Sequence, residues 1–157
     1  PDVHAWRRSV KNSVLVILSF AALAVTGCAS TAYQPNPAEM SSALRQITGQ
    51  DGRACVRQRD IDGFGALSDT VLSVSDKFRG HYLMITRYSC PGMEVASRAL
   101  FEGAFTEFCG QRDSITTRGG RCPILSVYTF ENRDAAFEAH DQAIEAARTR
   151  RDTAGSE

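Results

Sequence analysis

Phe64-Gly65-Ala66-Leu67-Ser68-Asp69-Thr70-Val71-Leu72-Ser73-Val74 decides the fold class of this chain. Two runs of strand-prone residues, Phe64–Leu67 and Thr70–Val74, flank Ser68-Asp69, a pair that favours a tight turn, so the stretch predicts a β-hairpin. Downstream, His81–Tyr88 is rich in aromatic and branched residues and is stopped by Pro91-Gly92. Met93–Leu100 admits one helical turn, and Leu100–Phe108 reads as a strand weakened by Gly103. Ser114–Thr117 and Ile124–Phe130 flank Arg118-Gly119-Gly120-Arg121, where Gly-Gly suits a type I′ hairpin turn. Pro123 cannot donate to a ladder and belongs at an edge or strand start.

Helical signals bracket these strands. Asn36-Pro37-Ala38-Glu39 combines a capping residue, proline at the first helical position and a glutamate that completes a capping box. Met40, Ala43, Leu44 and Ile47 follow as one apolar stripe, and Gly49 is a natural stop. Asn132 caps a second helix whose alanines, Phe137 and Ile144 form a narrow apolar stripe, with Arg148, Arg150 and Arg151 near its negative end. The expected architecture is mainly β (α+β): a small antiparallel barrel or curled sheet of five to six strands, flanked by a short N-terminal helix and a C-terminal helix. No internal repeat is visible.

The N-terminal residues predict an address. Arg7, Arg8 and Lys11 precede an apolar run from Val14 to Val25, the layout of a signal peptide. At about 12 residues this run spans roughly 18 Å as a helix, too short for a bilayer core of about 30 Å. It ends in Val25-Thr26-Gly27-Cys28, which resembles the lipobox of bacterial lipoproteins. That resemblance implies cleavage before Cys28 and acylation of its thiol, with more than one chain giving stable attachment to a membrane. Ala29, standing where an inner-membrane lipoprotein would carry aspartate, implies the outer membrane, facing the periplasm. The expected organisation is a leader over 1–27, a tether over 28–35 and one domain over 36–151. Within that domain a helix covers 36–48, the β core 53–130 and a second helix 132–151, with a frayed tail over 152–157.

The chain holds 18 basic and 18 acidic residues; without Arg7, Arg8, Lys11 and Asp2 of the leader the balance is about −2. That near-neutrality excludes an electrostatic case for nucleic acid, which needs a basic face.

Cys55, Cys90, Cys109 and Cys122 remain beyond Cys28, an even number in an exported domain, which predicts two structural disulfides. Their spacings of 35, 19 and 13 residues hold neither a C-x-x-C redox motif nor closely spaced metal-ligand pairs. No metal and no cofactor is expected. Of the three connectivities, Cys55–Cys122 with Cys90–Cys109 is expected, because the first bridge would join the opening strand to the closing one as a barrel closes.

From Cys55 onward the sequence carries Cys55-Val56-Arg57, Arg59-Asp60-Ile61, Leu67-Ser68-Asp69-Thr70-Val71-Leu72, Tyr82-Leu83, Ser89-Cys90-Pro91-Gly92-Met93, Phe108-Cys109 and Arg121-Cys122-Pro123-Ile124. In this order, behind a lipobox, they resemble a group of small proteobacterial lipoproteins that share a domain of unknown function. The likeness covers about half the chain and leaves out the C-terminal helix. It implies the envelope address and brings no activity.

Candidate chemistry is sparse. Asp60-Ile61-Asp62-Gly63 resembles the core of a calcium loop, but Gln58 stands at the first ligand place, Asp69 at the last, and no helices flank it. His81 and His140 read most simply as surface residues, and no serine sits in a G-x-S-x-G elbow. Arg53, Arg57 and Arg59 cluster at the start of the sheet, with Arg57 and Arg59 on one face of a regular strand. They are candidate contacts for an anionic ligand, such as lipopolysaccharide phosphates or peptidoglycan carboxylates.

Three functions fit these observations. The first is a non-enzymatic binding or structural module of the outer membrane, engaging an envelope protein or polymer. The second is an envelope enzyme with an unfamiliar site, which a deep pocket beside His81 would favour. The third is a redox-responsive protein, which four oxidised cysteines would end.

Overall fold

A computed structural model describes residues 33–93, 100–102 and 106–156. The leader expected over 1–27, Cys28 and most of the helical turn expected over Met93–Leu100 lie outside the described residues.

Helix α1 covers Pro37–Thr48. The Asn36 side chain accepts the Glu39 N–H at 3.0 Å, and the Glu39 carboxylate accepts the Asn36 N–H at 2.9 Å. This reciprocal box satisfies two N–H groups that the first turn leaves unpaired. Gly49 ends the helix at φ +69°, donating to Arg45 O. Met40, Ala43 and Leu44 are buried as expected, whereas Ile47, in the last turn of the helix, is 37% exposed.

Eight strands follow: β1 (Cys55–Arg57), β2 (Ile61–Ala66), β3 (Val71–Asp76), β4 (His81–Thr86), β5 (Leu100–Glu102), β6 (Glu107–Cys109), β7 (Ser114–Thr117) and β8 (Gly120–Phe130), with a 3₁₀ turn at Gln58–Asp60. Six of them form one antiparallel sheet in the order β2-β3-β4-β8-β7-β5, curled into a half-barrel, while β1 and β6 form a second small sheet. Helix α2 covers Arg133–Ala154, three residues past its expected end, with the Asn132 side chain accepting the Ala135 N–H at 2.9 Å. The fold is mainly β with a helix before and after.

Two apolar clusters lie on opposite faces of the sheet. Inside the curl are Leu72, Val74, Met84, Ile115, Ile124 and Val127, with Val56 and Phe108 from the small sheet. On the other face Val71, Leu83, Ile85 and Tyr128 meet Met40 and Leu44 of α1 and Ala136, Ala139 and Ala143 of α2. The alanines let α2 lie close to the sheet. Each buried Leu or Ile here contributes about 1.5–3 kcal/mol of transfer free energy.

Several local expectations are corrected. Leu100–Phe108 is not one strand: β5 pairs with β7 and β6 with β1, because Phe108 is drawn into the core of the curl. The β7–β8 turn is Arg118-Gly119, closed by the pair Thr117↔Gly120. Only Gly120 takes a positive φ, +121°, so the turn is not type I′. Glycine is still required at 119, where a Cβ would run into the Pro91 carbonyl oxygen. Pro123 sits inside β8, where pairing passes from β7 to β4 and the register slips opposite Ile85/Thr86. Its missing N–H falls at that change of partner.

The four cysteines form two disulfides, but interleaved instead of nested as expected: Cys55–Cys109, with Cα atoms 4.2 Å apart, and Cys90–Cys122, at 6.1 Å. The barrel does not close through β1 onto β8. Instead β1 pairs with β6, and its register sets Cys55 directly opposite Cys109.

Candidate functional site

Along β3 the residues facing the helices change from apolar to polar: Val71 is buried in the helix-side cluster, then come Ser73 and Ser75. Register places Gly65 beside Ser73 and Gly63 beside Ser75, and on the far side Ser75 beside His81. Two glycines and two serines thus replace the side chains that would meet a covering helix. Both helices rest on β4 and β8. What remains over β2 and β3 is a cleft of roughly 600 Å³.

Its floor is Gly63, Gly65, Ser73, Ser75 and His81; Phe64, Ala66 and Leu67 line it from β2 and the turn that follows. Arg79 and Gly80 come from the β3–β4 turn, and Asn132, Arg133 and Phe137 from the start of α2. His81 is only 6% exposed, not the surface residue its sequence context suggests, because the first turns of α2 cover it. Its Nε2 lies 2.8 Å from the Ser73 hydroxyl, and Phe137 meets its ring edge-on at 5.9 Å. Burial, reinforced by the Arg133 cation and opposed by Asp76, holds the His81 pKa below its usual value. The imidazole is therefore neutral near pH 7.

The Ser73–His81 contact has the geometry of a nucleophile and its base. A catalytic triad also needs an acid orienting the histidine. Asp76, the carboxylate that acts on His81, is otherwise engaged: Oδ1 accepts the Phe78 and Gly80 N–H groups, each at 2.8 Å, and Oδ2 accepts the Tyr82 hydroxyl at 3.1 Å. That carboxylate shapes the β3–β4 turn. The Tyr82 hydroxyl is in turn pushed up by burial and by Asp76.

The arginine cluster is arranged differently from its expectation. The strand ends at Arg57, and Arg59 lies in the 3₁₀ turn, so the two do not alternate along one strand. Both reach Asp60, with Nε–Oδ distances of 3.8 Å, which partly neutralises them. They line a smaller cleft of about 370 Å³ with Gln58, Thr106 and Glu107. Arg53 is apart from them, its backbone bridging to Val127. Asp60, the first aspartate of the calcium-like segment, serves these arginines, and Gly63 lies in β2. Among the described residues, Cys55, Cys109 and Glu107 bring three donor atoms close together, but the two sulfurs are joined in a disulfide and offer no thiolate. His140 is half-buried on α2, with Nδ1 3.1 Å from Asp141.

Compared with known proteins, the chain matches one family model over residues 11–149, nearly its full length. The chain belongs to DUF6491, a family of unknown function. No curated protein and no solved structure matches it. The DUF6491 match begins at residue 11 and runs well into α2, so it takes in most of the C-terminal helix that the sequence resemblance left out. No helix among the described residues is long and apolar enough to cross a membrane.

Ser73, Arg79, Arg133 and Phe137 were not legible as site residues. One signal was present: in β2 and β3 the alternate positions Gly63, Gly65, Ser73 and Ser75 are all small, while Phe64, Leu72 and Val74 between them are large. Such alternation normally marks a polar face turned to solvent.

Proposed function

We propose that this chain is an outer-membrane lipoprotein, anchored through acylated Cys28, whose folded domain is a non-enzymatic binding module that takes its ligand in the cleft beside His81. The observation that carries the binding reading is the cleft itself. Its volume is in the range of small-molecule sites, about 300–1,000 Å³, and its histidine meets a serine without an acid free to complete a relay. The two disulfides support export, since such bridges persist in oxidising compartments. The address is supported by Val25-Thr26-Gly27-Cys28 at the end of an apolar run. An envelope protein or polymer presenting a small group to the cleft is the matching partner.

Mass spectrometry of the membrane-extracted chain, compared with a Cys28→Ser variant, tests the anchor. An acylated N-terminal cysteine in the outer-membrane fraction, and release of the variant, are expected; an unmodified chain overturns it. The second reading, an envelope hydrolase, has in its favour the same cleft beside His81 and the 2.8 Å Ser73–His81 contact. Ester hydrolysis that disappears in Ser73→Ala would replace the binding reading with this one.

A further inference from the structure

The charges around the cleft specify what it holds. None of its lining residues is a carboxylate, while Arg79 and Arg133 both line it. Among the described residues neither arginine has an ion-pair partner; Arg133 stacks instead on Phe137, its guanidinium carbon 4.7 Å from the ring centre. His81, held neutral by burial, adds no charge, and the Ser73 and Ser75 hydroxyls, bonded to His81 and to the Gly63 carbonyl, leave the floor polar and uncharged. A guanidinium presents a planar fork of donors that matches a carboxylate or phosphate, and both arginines stand exposed at the rim of the cleft. The apolar side chains on the cleft's face of the sheet are Leu67 and Phe137; Phe64 and Ala66 border it from β2 with their side chains packed inside the curl.

We propose that the cleft binds a small organic anion: a carboxylate or phosphate group carried on a compact apolar body. Arg79 and Arg133 hold the charged group. The apolar body lies over Gly63 and Gly65 against Phe137 and Leu67. The neutral floor explains the glycines. A side chain at Gly65 would project into open space, since a Cβ there meets nothing within 4 Å. Glycine at that position keeps a volume vacant that ordinary strand residues would fill. This inference rests on reading the domain as a binding module and adds the class of its ligand.

The test uses the full chain in detergent and fluorine NMR of three probes of one shape: 4-fluorobenzoate, 4-fluorophenyl phosphate and the neutral 4-fluorobenzamide. Binding is taken as the difference from a Gly65→Leu variant, which fills the cleft without backbone strain and serves as the blocked control. At least one acid should bind at least tenfold more tightly than the amide, and whichever acid binds better identifies the charged group. An Arg79→Gln/Arg133→Gln variant should lose that tenfold preference while still binding the amide weakly. Equal binding of acids and amide, blocked by Gly65→Leu, overturns the anionic ligand and leaves the binding module standing. Binding of no probe, or binding unaltered in Gly65→Leu, overturns the cleft as the site. Hydrolysis lost in Ser73→Ala bears only on the binding-module reading.

Discussion

Replacing both cysteines of a bridge by alanine sets two physical effects against each other in this fold. The loop-closure entropy that a disulfide removes from the unfolded chain grows with the residues enclosed. Cys55 and Cys109 are 54 residues apart, Cys90 and Cys122 only 32. The chain-entropy relation converts these to about 4.2 and about 3.7 kcal/mol. Loop length alone therefore ranks Cys55–Cys109 as the more stabilising bridge, by about 0.5 kcal/mol. Burial reverses the order. Cys90 and Cys122 are 2% and 4% exposed within the core of the curl, whereas Cys55 is exposed. Two sulfurs lost from the core leave a cavity, and cavity formation adds roughly 1–2 kcal/mol to the entropic loss. The Cys90→Ala/Cys122→Ala pair should lose about 5 kcal/mol and the Cys55→Ala/Cys109→Ala pair about 4.

With a urea slope of about 2 kcal/mol per molar, the midpoints should fall by about 2.5 M and about 2 M. Equilibrium unfolding of both variants, followed by circular dichroism without reductant, measures the order. Hydrogen exchange should show the Cys55/Cys109 variant opening first at β1 and β6. That ribbon has only three register pairs, and isolated two-stranded ribbons are marginal. A larger loss from the Cys55/Cys109 pair would show that loop entropy outweighs burial here. Peptide mapping that recovered a Cys55–Cys122 link would refute the connectivity on which both figures rest.

Other perturbations follow from single contacts. Tyr128 is fully buried and its hydroxyl donates to Ser41 O at 2.7 Å, tying β8 to α1; Tyr128→Phe should cost about 1–2 kcal/mol in urea unfolding. Gly119→Ala forces a methyl against the Pro91 carbonyl and should lose about 1–3 kcal/mol, whereas Gly65→Ala, with open space beyond its Cβ, should lose under about 1. Because the folded state holds His81 below the usual 6.5, the unfolded chain takes the proton first as pH falls. That contribution is complete above pH 6.5 and is lost on the way down to the folded-state value. A His81→Gln variant should show a flatter fall in unfolding midpoint between pH 7.5 and 5; an unchanged slope would place the titration elsewhere.

Elements set by neighbouring residues were legible. The capping box at Asn36 and Glu39, the stop at Gly49 and the alanine stripe of α2 all depend on contacts within one or two helical turns, and the structure shows each of them. The Ser68-Asp69 turn is local in the same way: the Ser68 hydroxyl accepts the Val71 N–H at 3.1 Å, and β2 pairs with β3 across it. The disulfide pairing was not legible, because it depends on which strand β1 meets, and that is decided by Phe108 and Val56 entering a core shared with Met84 and Val127. Gly119 was legible as a glycine position for the wrong reason. The sequence points to backbone conformation, while the constraint comes from Pro91, a residue distant in the chain.

The cleft has the same origin as these failures. Each of its residues is unremarkable alone: a serine on a strand, an arginine in a turn, another at the start of a helix. They meet because β8 ends at Phe130, which is paired with His81, and α2 begins only at Arg133. So short a connection places the first turn of α2 beside the His81 end of the sheet. The helix then lies over β4 and β8, and β2 and β3 receive no cover at that end. A sheet left bare normally turns charged side chains to water or fills its gap with apolar ones. Here Gly63, Gly65, Ser73 and Ser75 do neither, and two arginines stand at the cleft they leave. Packing alone gives no reason for that combination, since larger residues would bury more surface at the same positions. A vacant volume held open by small residues beneath cations without ion-pair partners among the described residues is what a site for an anion requires.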